Sequence, residues 1–287
     1  MRCDCHIHMI LDGVYYRAAI DAQKEKPDEA LIRSRLSAYR DAGILYLRDG
    51  GDNWGVGSRA AEISEEYGIE YRTPAFPIHK KGRYGGFIGR GFDTMAEYAA
   101  LVRDAKREKA DFIKIMISGL MDFDHYGVIT SSPLSREEIK EMIHIAHSEG
   151  FSVMAHANGA DTIKNALECG VDSIEHGAYM DDEAVKMLAQ SNAVWVPTAV
   201  TIGNLIGDGR YPDEVLKPLF ELHISNIKRC AELGGLIAPG SDNGAYRVMH
   251  PQGTLDEYEI IKNALGEAAE RILDEGANEI RRRFRAQ

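Results

Sequence analysis

Phe112-Ile113-Lys114-Ile115-Met116-Ile117-Ser118 is a nearly continuous apolar run. After a loop comes an amphipathic stretch opening at Ser135-Arg136-Glu137-Glu138, and then a second apolar run, Phe151-Ser152-Val153-Met154-Ala155-His156. Short unbroken apolar runs are the pattern of strands covered on both faces, because neither face meets water. The stretch between them has a helical period. Ile139, Met142, Ile143 and Ala146 fall on one face behind a Ser135/Glu138 capping box. Strand, crossover helix and strand in that order make the repeating unit of a parallel sheet.

Working outward, the unit recurs. The apolar runs are Cys3–His8, Ile44–Arg48, Ile69–Ile78, Phe112–Ser118, Phe151–His156, Ser173–His176, Ala193–Val200 and Leu236–Asp242, eight in all. Asp28 caps a helix carrying Ile32, Leu36 and Tyr39 and closed by Gly43. Thr94 and Glu97 open another, with Tyr98, Leu101, Val102 and Ala105 behind them. From Thr254, the residues Tyr258, Ile261, Leu265, Ala268 and Ile272 keep helical spacing, with a break expected at Gly266 or Gly276. Eight strands alternating with about eight helices predict a single (β/α)8 barrel, one domain over residues 1–287. The rival open doubly wound sheet lacks its Gly-x-Gly-x-x-Gly turn after the first strand.

The chain carries 45 Asp and Glu against 34 Lys and Arg, a net charge of −11, which argues against nucleic acid and anionic membrane as main partners. No uncharged apolar run approaches the roughly 20 residues of a membrane span. Met1-Arg2-Cys3-Asp4-Cys5-His6 lacks the apolar region of a signal peptide. The cysteines, Cys3, Cys5, Cys169 and Cys230, are too scattered for a secreted disulfide framework. The expected setting is the cytoplasm and the expected partner a small-molecule substrate. A chain of this length buries about three-quarters of its unfolded surface, so a metal site would serve chemistry rather than stability.

In a barrel, chemistry gathers at the C-terminal ends of the strands. Those ends carry His6-Ile7-His8, Lys114, His156, His176 and Asp242. Strand alternation puts Asp4, His6 and His8 on one face and Cys3, Cys5 and Ile7 on the other, so the cysteines are expected to pack outward against helices. Lys114 shares its face with Phe112 and Met116. Singly, each has a plain structural explanation: a chance histidine pair, a lysine reaching for the surface, a turn aspartate. Together, four imidazoles and a carboxylate at one end of a barrel are the ligand types that zinc and similar divalent ions prefer. A buried lysine has a lowered pKa. Its neutral amine can take up carbon dioxide, and the resulting carbamate is a two-oxygen anion able to bridge two ions.

Asp4-Cys5-His6-Ile7-His8, Phe112-Ile113-Lys114-Ile115-Met116, His156-Ala157-Asn158-Gly159, Ser173-Ile174-Glu175-His176-Gly177 and Gly240-Ser241-Asp242-Asn243-Gly244 resemble, in order, strand motifs of the amidohydrolase superfamily. The nearest branch is the metal-dependent dipeptidase and imidazolonepropionase-like group. The resemblance implies two divalent metal ions, zinc by preference. His6, His8 and Asp242 would hold one, His156 and His176 the other, and carbamylated Lys114 would bridge them. It implies hydrolysis of an amide or peptide C–N bond by hydroxide shared between the ions, with Asp242 moving the proton. The substrate would be a dipeptide or an N-acyl amino acid. A lactonase, a phosphoesterase or a decarboxylase is the alternative on the same scaffold. The decarboxylase expects one metal and no carbamate, so Lys114 counts against it. Members often form homo-oligomers. They usually carry a small β-sandwich flanking the barrel, which is expected to be missing here. Pro251-Gln252-Gly253 after His250 departs from the His-Gly pair usual in the branch.

Specificity is expected in the loops. Residues 79–90 are glycine-rich and carry Lys80, Lys81, Arg83 and Arg90, so this loop is expected to close over the site and meet an anionic group. The candidate substrate contacts are His79, Arg83, Tyr84, Tyr126, Tyr246, Arg247 and His250, with Tyr179 also at a strand end. His144 and His147, mid-helix, are excluded as ligands, and His125 and His223 are given no role.

Overall fold

The computed structural model describes residues 2–285. The strands are β1 (Arg2–Ile7), β2 (Ile44–Asp49), β3 (Glu70–Arg72), β4 (Pro77–Lys80), β5 (Arg90–Phe92), β6 (Ile113–Met116), β7 (Val153–Ala157), β8 (Ser173–His176) and β9 (Val194–Val196). They pair in parallel in two sheets, β1-β2-β3 and β5-β4-β6-β7-β8-β9. The helices are α1 (Tyr16–Asp21), α2 (Glu29–Asp41), α3 (Val56–Ser64), α4 (Met95–Arg107), α5 (Arg136–Ser148), α6 (Ala160–Glu168), α7 (Asp182–Gln190), α8 (Val200–Gly203), α9 (Asp213–Glu232), α10 (Gln252–Leu265) and α11 (Ala269–Arg283). The alternation of parallel strands and helices is that of a TIM-barrel-like α/β domain. Among the described residues no helix is long and apolar enough to cross a membrane.

Local rules account for most boundaries. Asp28 accepts the Leu31 N–H at the start of α2, Thr94 the Glu97 N–H at α4, and Ser135 and Glu138 form a reciprocal capping box on α5. Ile113, Ile115 and Ile117 pack on Ile139, Met142 and Ile143 of α5, leaving Lys114 on the opposite face. The C-terminal helix begins at Gln252 and breaks at Gly266, where φ is +61°. Gly276 stays within α11, because its bare face lies against the Ile237 carbonyl.

Three expectations are corrected. Run 69–78 is not one strand: Pro74 removes a ladder donor and Ala75 takes φ +61°, so the run divides into β3 and β4. Run 236–242 forms isolated bridges rather than a ladder. Ile237 bridges Trp195 of β9, and Asn243 bridges Ile7 of β1. The Asp242 N–H donates to the His6 carbonyl at 2.7 Å, and Pro239 again lacks a donor. The simple alternation also fails in β1, where the register shifts between Asp4 and Ile7. The Asp4 carboxylate accepts from Ser241 and from Thr254 of α10, while His6 turns toward β8. Cys3 and Cys5 cluster both with Ala277 and Ile280 of α11 and with the strand residues Tyr46, Phe112, Met154, Val194 and Val196, so packing against a helix is only part of their surroundings.

Candidate metal centre

His6 is the penultimate residue of β1 and His8 follows its end, and the 236–243 segment brings Asp242 beside them. Nε2 of His6 lies 3.5 Å and Nε2 of His8 3.4 Å from Asp242 Oδ1. The donor atoms of these three residues all lie within 4.8 Å of one another. His156 is the penultimate residue of β7 and His176 the last of β8, and their ring centroids are 4.6 Å apart; the His176 ring is 5.0 Å from that of His6. His176 and Asp242 both have positive φ, +67° and +60°. Such strain in non-glycine residues persists where the surrounding structure fixes it, and it clusters at functional sites.

Each imidazole except His8 has one nitrogen pinned from outside. His6 Nδ1–H donates to Glu175 Oε2 at 2.8 Å. His156 Nε2–H donates to the Gly119 carbonyl at 3.0 Å, and His176 Nδ1 shares a 2.8 Å hydrogen bond with Thr198 Oγ1. Such outer partners fix the ring and its tautomer and leave the other nitrogen to bind. Burial holds His8 and His156 neutral, with pKa values pushed down to about 3, and lowers His6 and His176 well below the ordinary histidine value. The Lys114 charge adds to the shift in all four. Burial lowers the Lys114 pKa in turn and raises that of Asp242 well above the usual carboxylate range. Nζ of Lys114 and Nε2 of His6 are buried without a hydrogen-bond partner. An orphaned amine and an orphaned imidazole nitrogen beside a carboxylate suit a divalent cation and a group added to the lysine.

Under this cluster runs a charged network that strand patterns alone do not identify. Glu175 and Arg48 are both fully buried, 2.8 Å apart. Arg48 also donates to the Cys5 carbonyl and to Ser173 Oγ. A visible signal existed in each case, a charge inside an apolar strand, but it did not name the partner.

A cavity of about 360 Å³ opens above the cluster, reaching His8, His176 and Asp242. Of the expected substrate contacts, Tyr84 and Tyr246 line it. The others stand elsewhere. His79 is buried against Gly85 and Gly91 with Nδ1–H donating to the Lys80 carbonyl. Arg83 is exposed, Tyr126 meets the Tyr179 ring edge-on, Arg247 pairs with Asp208, and His250 bonds Tyr39 and the Leu11 carbonyl. Most cations of the 79–90 segment are already paired: Lys80 with Glu138, Lys81 with Asp93, Arg90 with Glu108. Its ends belong to β4 and β5, so it is not the open loop expected. His147 on α5 pairs with Asp172, His125 with Asp122, and His223 bonds the Pro197 carbonyl.

The chain belongs to the amidohydrolase family, whose model matches residues 43–279. It is 26 % identical over 225 residues to an uncharacterized protein of Mycobacterium tuberculosis, covering 76 % of this chain and 58 % of that one. It is 27 % identical over 277 residues to the ochratoxinase of Aspergillus niger, covering 83 % and 56 %. The chain thus spans little more than half the length of these relatives. In structure it superposes on A. niger ochratoxinase with TM-score 0.79 at 20 % identity, covering 97 % of this chain and 70 % of that one. A Xaa-Pro dipeptidase gives TM-score 0.74 at 21 % identity, covering 94 % and 72 %.

Proposed function

We propose that this chain is a metal-dependent hydrolase cleaving an amide or peptide C–N bond. The site would be carried on one domain over residues 1–287, with the two sheets and the 236–243 segment closing as a (β/α)8 barrel. Family membership and the similarity to an ochratoxinase and a dipeptidase support the reaction class. The observation that carries the reading is the pair of orphaned, buried nitrogens, His6 Nε2 and Lys114 Nζ, within a set of neutral imidazoles.

His6, His8 and Asp242 would hold one divalent ion and His156 and His176 a second, the imidazole and carboxylate set suiting zinc. Bound there, the ions supply positive charge that polarises a carbonyl and acidifies water. Lys114, whose pKa burial lowers to about 8, would add carbon dioxide through its free-amine form: the nitrogen would form the new bond to carbon and lose one proton, leaving an N-carboxylate. Asp242, whose proton affinity burial raises, accepts the proton of the attacking water and returns it to the leaving nitrogen. Its side chain keeps 16 % of its surface exposed, so it can meet a substrate. Glu175 holds His6 in the tautomer with Nε2 free. Tyr84, its ring 4.7 Å from that of His156, covers the opposite ligand set.

The test is metal content per chain, with and without bicarbonate, in wild type and Lys114→Ala, alongside hydrolysis of dipeptides and N-acyl amino acids. Two ions falling to one or none in the variant, with C–N cleavage by the wild type, supports the proposal. Full metal content in Lys114→Ala, or a metal-loaded wild type that cleaves no C–N bond, overturns it.

A further inference from the structure

The cavity wall is mostly aromatic and aliphatic, and among the described residues lining it Arg210 is the sole arginine or lysine. Its guanidinium lies over the Tyr246 ring at 4.2 Å and the Tyr211 ring at 5.2 Å. No described carboxylate pairs with it. Asp208, on the same loop, is occupied instead: its Oδ1 pairs with Arg247 Nε at 2.9 Å, and its Oδ2 accepts the Tyr246 hydroxyl at 3.0 Å. The cations at 80, 81 and 90, nearer in sequence to Tyr84, are likewise taken by acidic partners. Arg210 therefore brings an uncompensated positive charge to the cavity that Asp242 and His176 also line.

A guanidinium stacked on rings keeps its N–H edges free, and those edges match the two oxygens of a carboxylate. Elsewhere on the wall, Tyr84 stands 4.7 Å from the His156 ring, Phe87 5.7 Å from Tyr84, and Tyr16 5.4 Å from Phe87. These rings lead from the proposed metal ligands outward and suit a planar or bulky apolar group.

We propose that Arg210 anchors the free carboxylate of the substrate and that the Tyr84–Phe87–Tyr16 wall receives its apolar portion, so that the substrate class is N-acyl amino acids bearing aromatic groups. The placement of the scissile bond rests on the hydrolase reading above; the anion site itself does not. Arg210 is thus a specificity-determining residue, replacing the basic segment 79–90 in that role.

The test is calorimetric binding of N-benzoyl-L-phenylalanine and of its carboxamide to wild type, Arg210→Met and Arg210→Lys, with hydrolysis of the acid followed separately. The wild type should favour the acid. Arg210→Met should weaken the acid about tenfold while leaving the carboxamide unmoved, as expected for loss of a charge-assisted pair. Arg210→Lys should fall between. Because Arg210 is exposed, neither substitution endangers folding. Equal weakening of both probes, no preference in the wild type, or binding of neither probe overturns the proposal. Discriminating binding without cleavage leaves the anchor standing and counts against the hydrolase reading alone.

Discussion

Arg48→Met should be among the most damaging single changes outside the metal ligands. The arginine threads the strand interior. Nε donates to the Cys5 carbonyl at 2.6 Å, one terminal nitrogen to Ser173 Oγ at 3.0 Å, and the other to Glu175 Oε1 at 2.8 Å. The guanidinium also lies 4.4 Å from the centre of the Phe284 ring. Methionine keeps much of the apolar stem and removes the charge. Glu175 then retains Ser173 Oγ–H at 2.6 Å and His6 Nδ1–H at 2.8 Å but loses its buried cation. Removing one partner of such a pair costs about 3–5 kcal/mol. Lys114, whose ammonium Glu175 already favours, takes up part of the countercharge and draws the loss toward the lower end. The loss reaches the site as well. Glu175, no longer held by its arginine, orients His6 less firmly, so metal affinity should fall about 10–100-fold. Deleting both charges, as Arg48→Met with Glu175→Gln, keeps an amide oxygen for His6 Nδ1–H and an amide N–H for Ser173 Oγ, so that only the Cys5 carbonyl lacks its donor, as it already does in the single variant, a cost of about 1–3 kcal/mol. The double variant should therefore be more stable than Arg48→Met. Urea unfolding of the metal-free proteins at one pH, with unchanged m-values, measures the first quantity; calorimetric metal titration measures the second. Arg48→Met within about 1 kcal/mol of wild type, or a double variant less stable than the single, would refute the reasoning.

Asp242→Ala should lower kcat about 10²–10⁴-fold with a much smaller change in KM, the mark of a group that moves a proton in the reaction; steady-state kinetics at saturating metal reads it, and a rise in KM with kcat intact contradicts the role. Gly276→Ala should destabilise despite alanine's better helix propensity, because the added methyl runs into the Ile237 carbonyl; thermal unfolding should show a loss of about 1–3 kcal/mol. Glu257, fully buried, accepts the Ala199 and Val200 N–H groups, and burial pushes its pKa up to about 8. The folded state thus holds that proton more tightly than the unfolded chain, so its contribution to stability is full below about pH 4.5 and is lost as pH rises to about 8. Glu257→Gln should accordingly gain on wild type across that window, and parallel unfolding curves for the two would exclude the effect.

How far such features can be read from sequence depends on whether their cause is local. The parallel α/β class was legible because burial on both faces of a strand is written into consecutive residues. His6, His8, Lys114, His156, His176 and Asp242 could be gathered because each ends or interrupts an apolar run, and the fold rule places strand ends together. What escaped was set by non-local or irregular geometry. Asp4 faces α10 because the register slips in β1, and alternation assumes no slip. Arg48 finds Glu175 across 127 positions, and neither neighbourhood predicts the other. The same limit misdirected attention to residues 79–90. A positive charge recruits an anion only if no protein carboxylate has claimed it, and the claims of Glu138, Asp93 and Glu108 are tertiary facts. Arg210 sits in Gly207-Asp208-Gly209-Arg210-Tyr211, which reads as an ordinary turn with a nearby acid to satisfy it. Only the diversion of that acid to Arg247 and Tyr246 leaves the guanidinium free. The distinction that matters for substrate choice is therefore between spent and unspent charge, and residue type alone does not carry it.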